Sequence, residues 1–231
     1  MRHNPDYALD DLEGIKELIR AHPWCTFVAN TPAGLTASHY PVMLEEQAAG
    51  DDDELVLLSH VGRPDEVKLG LGGDGDSGEL LAIIQGPHGY ISPSWYGYRP
   101  NVPTWNFVTA HLYGVPEVLS DAENLAVLHR LVEHFESPLP DPHLLDATEE
   151  NSEYARRIVR GTVGFRMRIT RIEAKEKMNQ DKPAKSVRNI IEQLRAPGPY
   201  SSPALADRME RVNTEKLNTG KLNTGKLGGS A

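Results

Sequence analysis

Cysteine is nearly absent from the 231-residue sequence, and Cys25 is its only copy. A single cysteine excludes an intramolecular disulfide and any metal site built from several cysteines. Because Cys25 lies in the strand-like run of residues 24–28, we expect a buried and unreactive thiol. A nucleophilic role would need a nearby histidine to lower the pKa of the thiol, and nothing in the sequence indicates one.

Long hydrophobic runs are also absent. The strongest runs, such as residues 80–84, are far shorter than the ~20 residues that span a bilayer. Residues 1–6 carry no apolar stretch of the kind that marks a signal peptide. The sequence therefore predicts a cytoplasmic protein with no membrane partner.

Metal-binding and catalytic motifs are missing as well. The nine histidines form no HExxH motif and no zinc-ligand spacing. No Gly-x-Ser-x-Gly nucleophile elbow and no pair of catalytic carboxylates is evident. We therefore expect no metal ion, and the sequence singles out no catalytic residue.

Positive charge is in short supply but unevenly placed. The chain has 24 basic and 33 acidic residues, a net charge of −9, and residues 156–195 hold 12 basic against 4 acidic ones, which leaves 12 against 29 elsewhere. Such a segment could be a nucleic-acid face, a phosphate site or a dimer surface. Arg166 and Arg168 alternate with apolar Phe165 and Met167, which favours the solvated face of a strand. Direct DNA binding is therefore doubtful.

Aromatic residues are scarce, at 6% of the chain, but they gather with prolines in residues 86–107. Pro93 and Pro103 each lack a backbone N–H and bias the preceding residue towards an extended conformation, so no regular helix passes through this region. Tyr and Trp combine a flat apolar face with one polar group. They could line a planar ligand or form a rigid core turn, and their spacing does not decide between the two.

The motif GPHGYISPSWY at residues 86–96, followed by VPTWNFVTAHLYG at residues 102–114, resembles the signature of the PaiB-type FMN-binding negative transcriptional regulators. Stretches at residues 10–23, 34–41 and 164–181 agree with the same family, so the resemblance spans residues 1–195. Two segments depart from its pattern. KEKMNQD stands where the family has KFKLSQN, and SHVGRP at residues 59–64 shortens GHLARANP. The family resembles the pyridoxamine 5′-phosphate oxidase-like flavoproteins in fold.

The predicted fold class is mainly β with peripheral helices (α+β), and the resemblance implies an FMN-binding split β-barrel. Strands are predicted over residues 25–29, 35–43, 55–59, 79–85, 104–113, 114–119 and 161–174. Helices are predicted from a cap at Asp10 or Asp11 to residue 21, and over residues 64–71, 121–136, 149–159, 184–194 and 203–212.

Three parts of the chain are expected. Residues 1–196 form the FMN-binding split-barrel domain with peripheral helices, and residues 197–212 form a carboxyl-terminal helical extension. Residues 213–231 contain two KLNTG units at residues 216–220 and 221–225. Because this composition buries too little surface to fold alone, we expect a low-complexity flexible tail.

The resemblance implies FMN as cofactor and, residue by residue, a site for it. In such proteins the second strand runs beside the flavin ring, and the turn after the third strand holds the phosphate. The implied residues are Thr36, Ser38 and His39 beside the ring, Ser59, His60 and Arg63 at the phosphate, Trp105 and Asn106 near the ring, and Lys177 and Gln180 reaching across from a partner subunit. FMN is expected rather than FAD because no glycine fingerprint opens a helix.

The family label implies negative regulation of transcription. Because no helix-turn-helix with a basic recognition helix is evident, the effect is expected to be indirect or to depend on a flavin sensor that acts through a protein partner. The alternative is an FMN-dependent oxidoreductase acting on a small molecule, and haem handling is conceivable for this fold although no axial ligand stands out. Trp95, Tyr96, Tyr98 and Trp105 offer more aromatic surface than a monomer covers, so we expect a homodimer.

Overall fold

The structure is a computed structural model that describes residues 1, 4–45, 54–72 and 78–224, with side chains up to residue 219. The chain divides into two compact units. The first unit comprises Met1–Asp10, Gln85–Thr109 and Ala174–Ala231, and the second comprises Asp11–Ile84 and Ala110–Glu173. The boundaries expected at residues 196 and 212 stay predictions.

Six strands form a closed antiparallel barrel in the order β1-β2-β3-β6-β5-β4. They are β1 (Trp24–Thr31), β2 (Gly34–Leu44), β3 (Val56–Gly62), β4 (Leu80–Ile91), β5 (Thr104–Val118) and β6 (Thr162–Lys177). Strand β1 pairs with β2 from Trp24 opposite Pro41 to Thr31 opposite Gly34, so only two residues connect them. The predicted class, mainly β with peripheral helices, is confirmed.

Seven helices of the α type lie among the described residues. They are α1 (Leu12–Ala21), α2 (Arg63–Leu69), α3 (Asp121–Glu136), α4 (Glu149–Ile158), α5 (Ala184–Arg195), α6 (Pro203–Val212) and α7 (Thr214–Thr224). Asp11 caps α1 by accepting a hydrogen bond from the Gly14 N–H at 2.9 Å. No helix among the described residues has the length and apolar content to cross a membrane.

The core of the second unit fills the barrel and extends beneath α3. Phe27 of β1 meets Phe165 of β6 edge to face, with ring centroids 5.3 Å apart. A buried cluster joins α3 to the barrel wall and consists of Met43, Leu58, Leu119, Val127 and Leu131. Gly164 lets α3 approach closely, because a Cβ at this position would lie 3.0 Å from the Cα of Asn124.

Strand β5 corrects the prediction of two separate strands, because it runs without a break through residue 114. A glycine at this position suggests a break, yet Gly114 is required for packing. A side chain there would collide with the backbone of Arg168. The glycine therefore marks a close approach of two strands within the barrel.

Residues 214–224 are helical, and the expectation that a flexible tail begins at residue 213 stays a prediction. Asn213 is buried and donates from Nδ2 to the carbonyls of Met178 at 3.1 Å and Met209 at 2.9 Å. The carbonyl of Leu217, itself buried, accepts from Arg188 Nη2 at 2.7 Å. These tertiary contacts stabilise a segment whose composition alone would not fold. Residues 225–231 of the expected tail lie outside the described residues.

Candidate functional site

The predicted site residues fall in both units. Six of them lie in the second unit: Thr36, Ser38, His39, Ser59, His60 and Arg63. Four lie in the first unit: Trp105, Asn106, Lys177 and Gln180.

In the second unit, polar side chains of β2 converge on the first turn of α2. Tyr40 donates its hydroxyl to Asp65 Oδ2 at 2.9 Å and accepts from the Gly62 N–H at 3.0 Å. Ser38 donates its hydroxyl to the same Asp65 oxygen. The hydrogen bond from Ser38 is the main cause that lowers the pKa of Asp65, so the carboxylate is ionised at neutral pH. The hydroxyls of this cluster already have an anionic partner.

Arg63, the residue implied for the phosphate, is the first residue of α2. Its Nε donates to the carbonyl of Arg160 at 3.1 Å, and its two terminal nitrogens lie 3.3 Å from Glu66 and 3.5 Å from Asp121. The side chain is 45% exposed. A phosphate bound at this turn would therefore have to replace Glu66 and Asp121 as partners of the Arg63 guanidinium, which these carboxylates already orient.

Ser59 and His60 are neighbours on β3 with different surroundings. Ser59 is fully buried and donates its hydroxyl to the carbonyl of Pro41 at 2.8 Å, so it joins two strands. His60 is half-buried, and its Nδ1 has no hydrogen-bond partner among the described residues. Burial lowers the pKa of His60, so the ring is neutral at pH 7. An unpaired buried nitrogen of this kind suits a ligand contact.

Strand β2 carries two further residues of the predicted set. Thr36 is half-buried and lies opposite Ala29 on β1. His39 is exposed, is hydrogen-bonded through Nδ1 to Thr26 Oγ1 at 2.9 Å, and stacks on Trp24 with ring centroids 6.4 Å apart. Trp24 is 66% exposed. The sequence analysis did not include this indole, although a tryptophan at the start of an otherwise alternating strand is a usable signal.

The first unit contains a cleft of about 210 Å³, which we call the Lys177 cleft. It is lined by two aromatic rings, two ammonium groups, one carboxylate and several polar loop residues: Tyr7, Tyr96, Asn101, Val102, Pro103, Thr104, Lys177, Asn179, Asp181 and Lys182. Flat apolar faces and cationic groups thus share one concave surface, which is typical of small-molecule sites.

Two side chains of the Lys177 cleft have perturbed pKa values. Burial, helped by a hydrogen bond to Asp181, raises the pKa of Tyr7 to about 12. Burial lowers the pKa of Lys177, whose ammonium donates to the hydroxyl of Thr104. Lys182 pairs with Asp181 at 2.8 Å. Shifted titration within a cleft is characteristic of functional sites.

Asn106 lies in a buried amide network of the first unit. Its Nδ2 donates to Asn179 Oδ1 at 2.6 Å and to the sulfur of Met209 at 3.3 Å. Asn179 has a positive φ of 57° and donates to the hydroxyl of Tyr96 at 3.4 Å. Asn106 Oδ1 is buried without a hydrogen-bond partner among the described residues. The side chain of Asn106 therefore positions the floor of the Lys177 cleft through Asn179 and Tyr96.

The side-chain amide of Gln180 forms hydrogen bonds with the backbone of its own turn. Its Oε1 accepts from the Met178 N–H at 2.6 Å, and its Nε2 donates to the carbonyl of Glu176 at 2.6 Å. Both ends of the amide are thus occupied by backbone groups. In this structure Gln180 shapes the turn that presents Lys177 and Asn179.

Trp105 belongs to a set of neighbouring aromatic rings in the first unit, which we call the aromatic patch: Tyr90, Trp95, Trp105 and Tyr200. Tyr90 contacts Trp105 at a centroid distance of 6.2 Å and Tyr200 at 5.0 Å. Trp95 lies 6.4 Å from Tyr200. Trp105 is 57% exposed and Tyr200 is 51% exposed. Such a surface is suited to a ligand or an interface.

Tyr7 and Asp181 of the Lys177 cleft were missed by the sequence analysis. Asp181 is the last residue of the KEKMNQD segment and could have been found from that motif. Tyr7 carries no comparable signal, because it reaches the cleft through backbone contacts of its segment with residues far away in the sequence: Ala8 pairs with Lys175, and the Leu9 N–H donates to the carbonyl of Ala174. The described residues contain no group of His, Cys, Asp and Glu that could hold a metal ion.

Comparison with known proteins supplies a family match. The model of the family described as "Putative FMN-binding domain" matches residues 1–171. The protease synthase and sporulation protein PAI 2 of Bacillus subtilis is 28% identical over 206 residues, covering 88% of this chain and 94% of that protein. The uncharacterized protein YKL070W of Saccharomyces cerevisiae is 29% identical over 114 residues, covering 47% of this chain and 64% of its own length.

Solved structures with a similar course of the chain include two cofactor-binding proteins. The flavocytochrome Anf3 of Azotobacter vinelandii has a TM-score of 0.48 at 14% identity, covering 74% of this chain and 69% of that one. The FAD- and heme-binding protein of Mycobacterium smegmatis has a TM-score of 0.46 at 13% identity, covering 72% of this chain and 71% of its own.

Proposed function

The chain belongs to the PaiB-type FMN-binding family, whose domain model matches residues 1–171, and on that premise we propose that it is a cytoplasmic flavoprotein that binds FMN and regulates transcription negatively by an indirect, flavin-dependent route. The family match over most of the chain carries this proposal. It agrees with the motif at residues 86–114.

The residues present fit a flavin. Its phosphate needs cationic or neutral donors, and its ring needs flat apolar surface with polar groups at the edge. In the second unit, Arg63 and the unpaired His60 nitrogen would hold the phosphate, with Thr36, Ser38 and His39 beside the ring. In the first unit, Lys177 and the aromatic faces of its cleft supply the same kinds of group.

FMN is proposed rather than FAD on the character of the glycine-rich turn that follows α2. Gly70 has a φ of 68° and ends α2, and its N–H bonds to the carbonyl of Glu66. The next element that the structure describes is strand β4. A dinucleotide fingerprint instead places its glycines immediately before a helix that receives the pyrophosphate.

Indirect regulation is supported by the ion pairs that arginines of the basic segment, residues 156–195, form within the protein. Arg166 forms a two-point pair with Glu45 at 2.6 and 2.8 Å. Arg195 pairs with Asp207 at 2.6 Å and with Glu210 at 2.7 Å. These two guanidinium groups are neutralised within their own units, so they can contact DNA phosphates only by giving up those pairs.

A homodimer is proposed from the aromatic patch. Its exposed rings are of the kind enriched in interface cores. Sedimentation should show a dimer at micromolar concentration, and Trp105→Ala should shift the equilibrium towards monomer. A stable wild-type monomer with FMN bound would contradict the proposal.

Titration with flavin tests the main proposal. FMN fluorescence should be quenched on binding with one site per chain, and FAD should bind more weakly. Riboflavin, which lacks the phosphate, separates phosphate recognition from ring recognition. Absence of FMN binding by the folded protein would overturn the assignment.

A flavin-dependent oxidoreductase is the second candidate, and the Lys177 cleft favours it. Bound FMN would supply hydride or electron transfer. Tyr7, with its pKa near 12, stays protonated and can donate a hydrogen bond to a substrate oxygen. Lys177 can stabilise negative charge on the same substrate. Anaerobic addition of reduced nicotinamide should bleach the flavin absorption band if this activity exists, and an unchanged band favours the regulator alone.

A further inference from the structure

The second unit has a larger cleft that none of the flavin residues lines. Its volume is about 340 Å³, which lies in the range of small-ligand sites. The end of α1 contributes Arg20, the end of β2 contributes Met43 and Leu44, and α3 contributes Arg130. We call it the two-arginine cleft.

The floor of the two-arginine cleft is apolar. Met43 is 8% exposed and belongs to the buried cluster beneath α3, and Leu44 beside it is half-buried. A ligand can therefore remove a short hydrocarbon chain from water here without displacing a polar group. The floor alone would accept any apolar molecule.

The walls of the cleft carry two guanidinium groups that have few ion-pair or hydrogen-bond partners among the described residues. Arg20 lies 3.9 Å from Glu13, which is also 3.1 Å from Lys16, and Arg20 remains 48% exposed. Arg130 is exposed and has no hydrogen bond or ion pair with any residue that the structure describes. Guanidinium forks on separate helices suit a planar carboxylate.

One carboxylate, that of Glu133, would repel an anion bound in the cleft. Glu133 lines the cleft on α3, together with His134 and Ser137. Glu45, directly after β2, is paired with Arg166 and also interacts electrostatically with Arg130, so it offsets part of the positive charge beside the cleft. The side chains of the cleft thus carry two positive charges against one negative charge, whereas the whole chain has a net charge of −9.

We propose that the two-arginine cleft binds a small amphipathic carboxylate. Its hydrocarbon part lies on Met43 and Leu44, and its carboxylate lies between Arg20 and Arg130. Because the site is open and the protein is acidic overall, the affinity is modest and the selectivity for an anion is local. This site is independent of the proposed flavin site.

Methyl NMR of the full chain with 13C-labelled methionines tests the proposal directly. The chain has five methionines. Met43 reports on the cleft, and the fully buried Met167, Met178 and Met209 are internal controls for folding. Hexanoate is the probe, and hexanol is the neutral control of equal chain length. Hexanoate should shift the Met43 signal saturably and at least about fivefold more tightly than hexanol.

Three variants and one control sharpen the result. Arg20→Gln and Arg130→Gln should each weaken hexanoate binding about fivefold, and Glu133→Gln should strengthen it about twofold. Arg157→Gln is the matched control, because Arg157 lies over the Tyr154 ring outside the cleft. Equal affinities for hexanoate and hexanol, no effect of either arginine substitution, or shifts only at the other methionines would each overturn the proposal.

Discussion

The two candidate flavin regions differ in what surrounds their polar side chains: partners within the protein in the second unit, and burial in the first. In the second unit, the hydroxyls of Ser38 and Tyr40 end on Asp65, and the guanidinium of Arg63 lies between Glu66 and Asp121. In the Lys177 cleft of the first unit, burial raises the pKa of Tyr7 and lowers the pKa of Lys177.

This difference predicts where a ligand gains more. A phosphate near Arg63 would replace existing protein contacts, so the net gain is small. An anion near Lys177 would relieve an ammonium whose charged form burial disfavours. Substitutions in the first unit should therefore have the larger effects on stability and on flavin binding.

Asn106→Ala should have the largest effect. The substitution leaves Asn179 Oδ1 without its donor in the buried network, at a cost of about 2–3 kcal/mol. Urea unfolding would measure the loss of unfolding free energy. Asn101→Ala is the control, because Asn101 is half-buried and its side chain donates to the carbonyl of Tyr98 in its own loop rather than to the buried network. Equal stabilities of the two variants would show that the network is not required.

Lys177→Ala should come next, with FMN affinity reduced about tenfold or more, because one charge-assisted contact contributes about 1.5–3 kcal/mol. Fluorescence quenching would give the dissociation constants. Lys185→Ala removes an exposed ammonium of α5 and should leave affinity unchanged. If Lys177→Ala binds FMN like the wild type, the first-unit cleft does not contact the flavin.

Arg63→Ala should weaken FMN binding less, by about 1 kcal/mol, because the side chain is half-exposed and shared with two carboxylates. The matched control is Lys68→Ala, which removes a cation from the same helix, 3.6 Å from Asp65. A loss larger than that of Lys177→Ala would reverse the ranking of the two regions.

Tyr7→Phe should reduce stability by about 1 kcal/mol at pH 8, where the phenol donates to Asp181. The pKa of Tyr7 is raised from 10 to about 12, so its contribution is complete below pH 10. The contribution is lost as pH rises through about 12, because the unfolded phenol ionises first. Denaturant unfolding of both proteins at pH 8 and pH 11 should show the difference shrinking. A constant difference would contradict the raised pKa.

Much of the fold could be predicted from local patterns, whereas the site could be predicted only in part. The cap at Asp11 and the alternation along β6 are local signals, and both agree with the structure. Strand β3 is buried on both faces, so its pattern could not show that the Ser59 hydroxyl joins two strands. Helix α7 and the position of Tyr7 depend on tertiary contacts, which composition does not encode.

Direct DNA binding should be the smallest effect. Besides the pairs of Arg166 and Arg195, Arg171 lies 2.7 Å from Glu173 and 3.6 Å from Glu79, with its guanidinium over the Tyr113 ring at 3.4 Å. Neutralised cations release few counterions, so affinity would depend little on salt, whereas a DNA-binding face gives a slope near −0.9 per phosphate contacted.

A mobility-shift titration at physiological salt, with promoter DNA and competitor, should show no specific complex for the wild type. Glu45→Gln and Glu210→Gln free Arg166 and Arg195 from one partner each, and should increase only nonspecific, salt-sensitive binding. A nanomolar complex of the wild-type protein with one promoter, resistant to competitor, would show that the paired arginines are exchanged for phosphates. Regulation would then be direct, and DNA binding would break the ion pairs that Arg166 and Arg195 form within the chain.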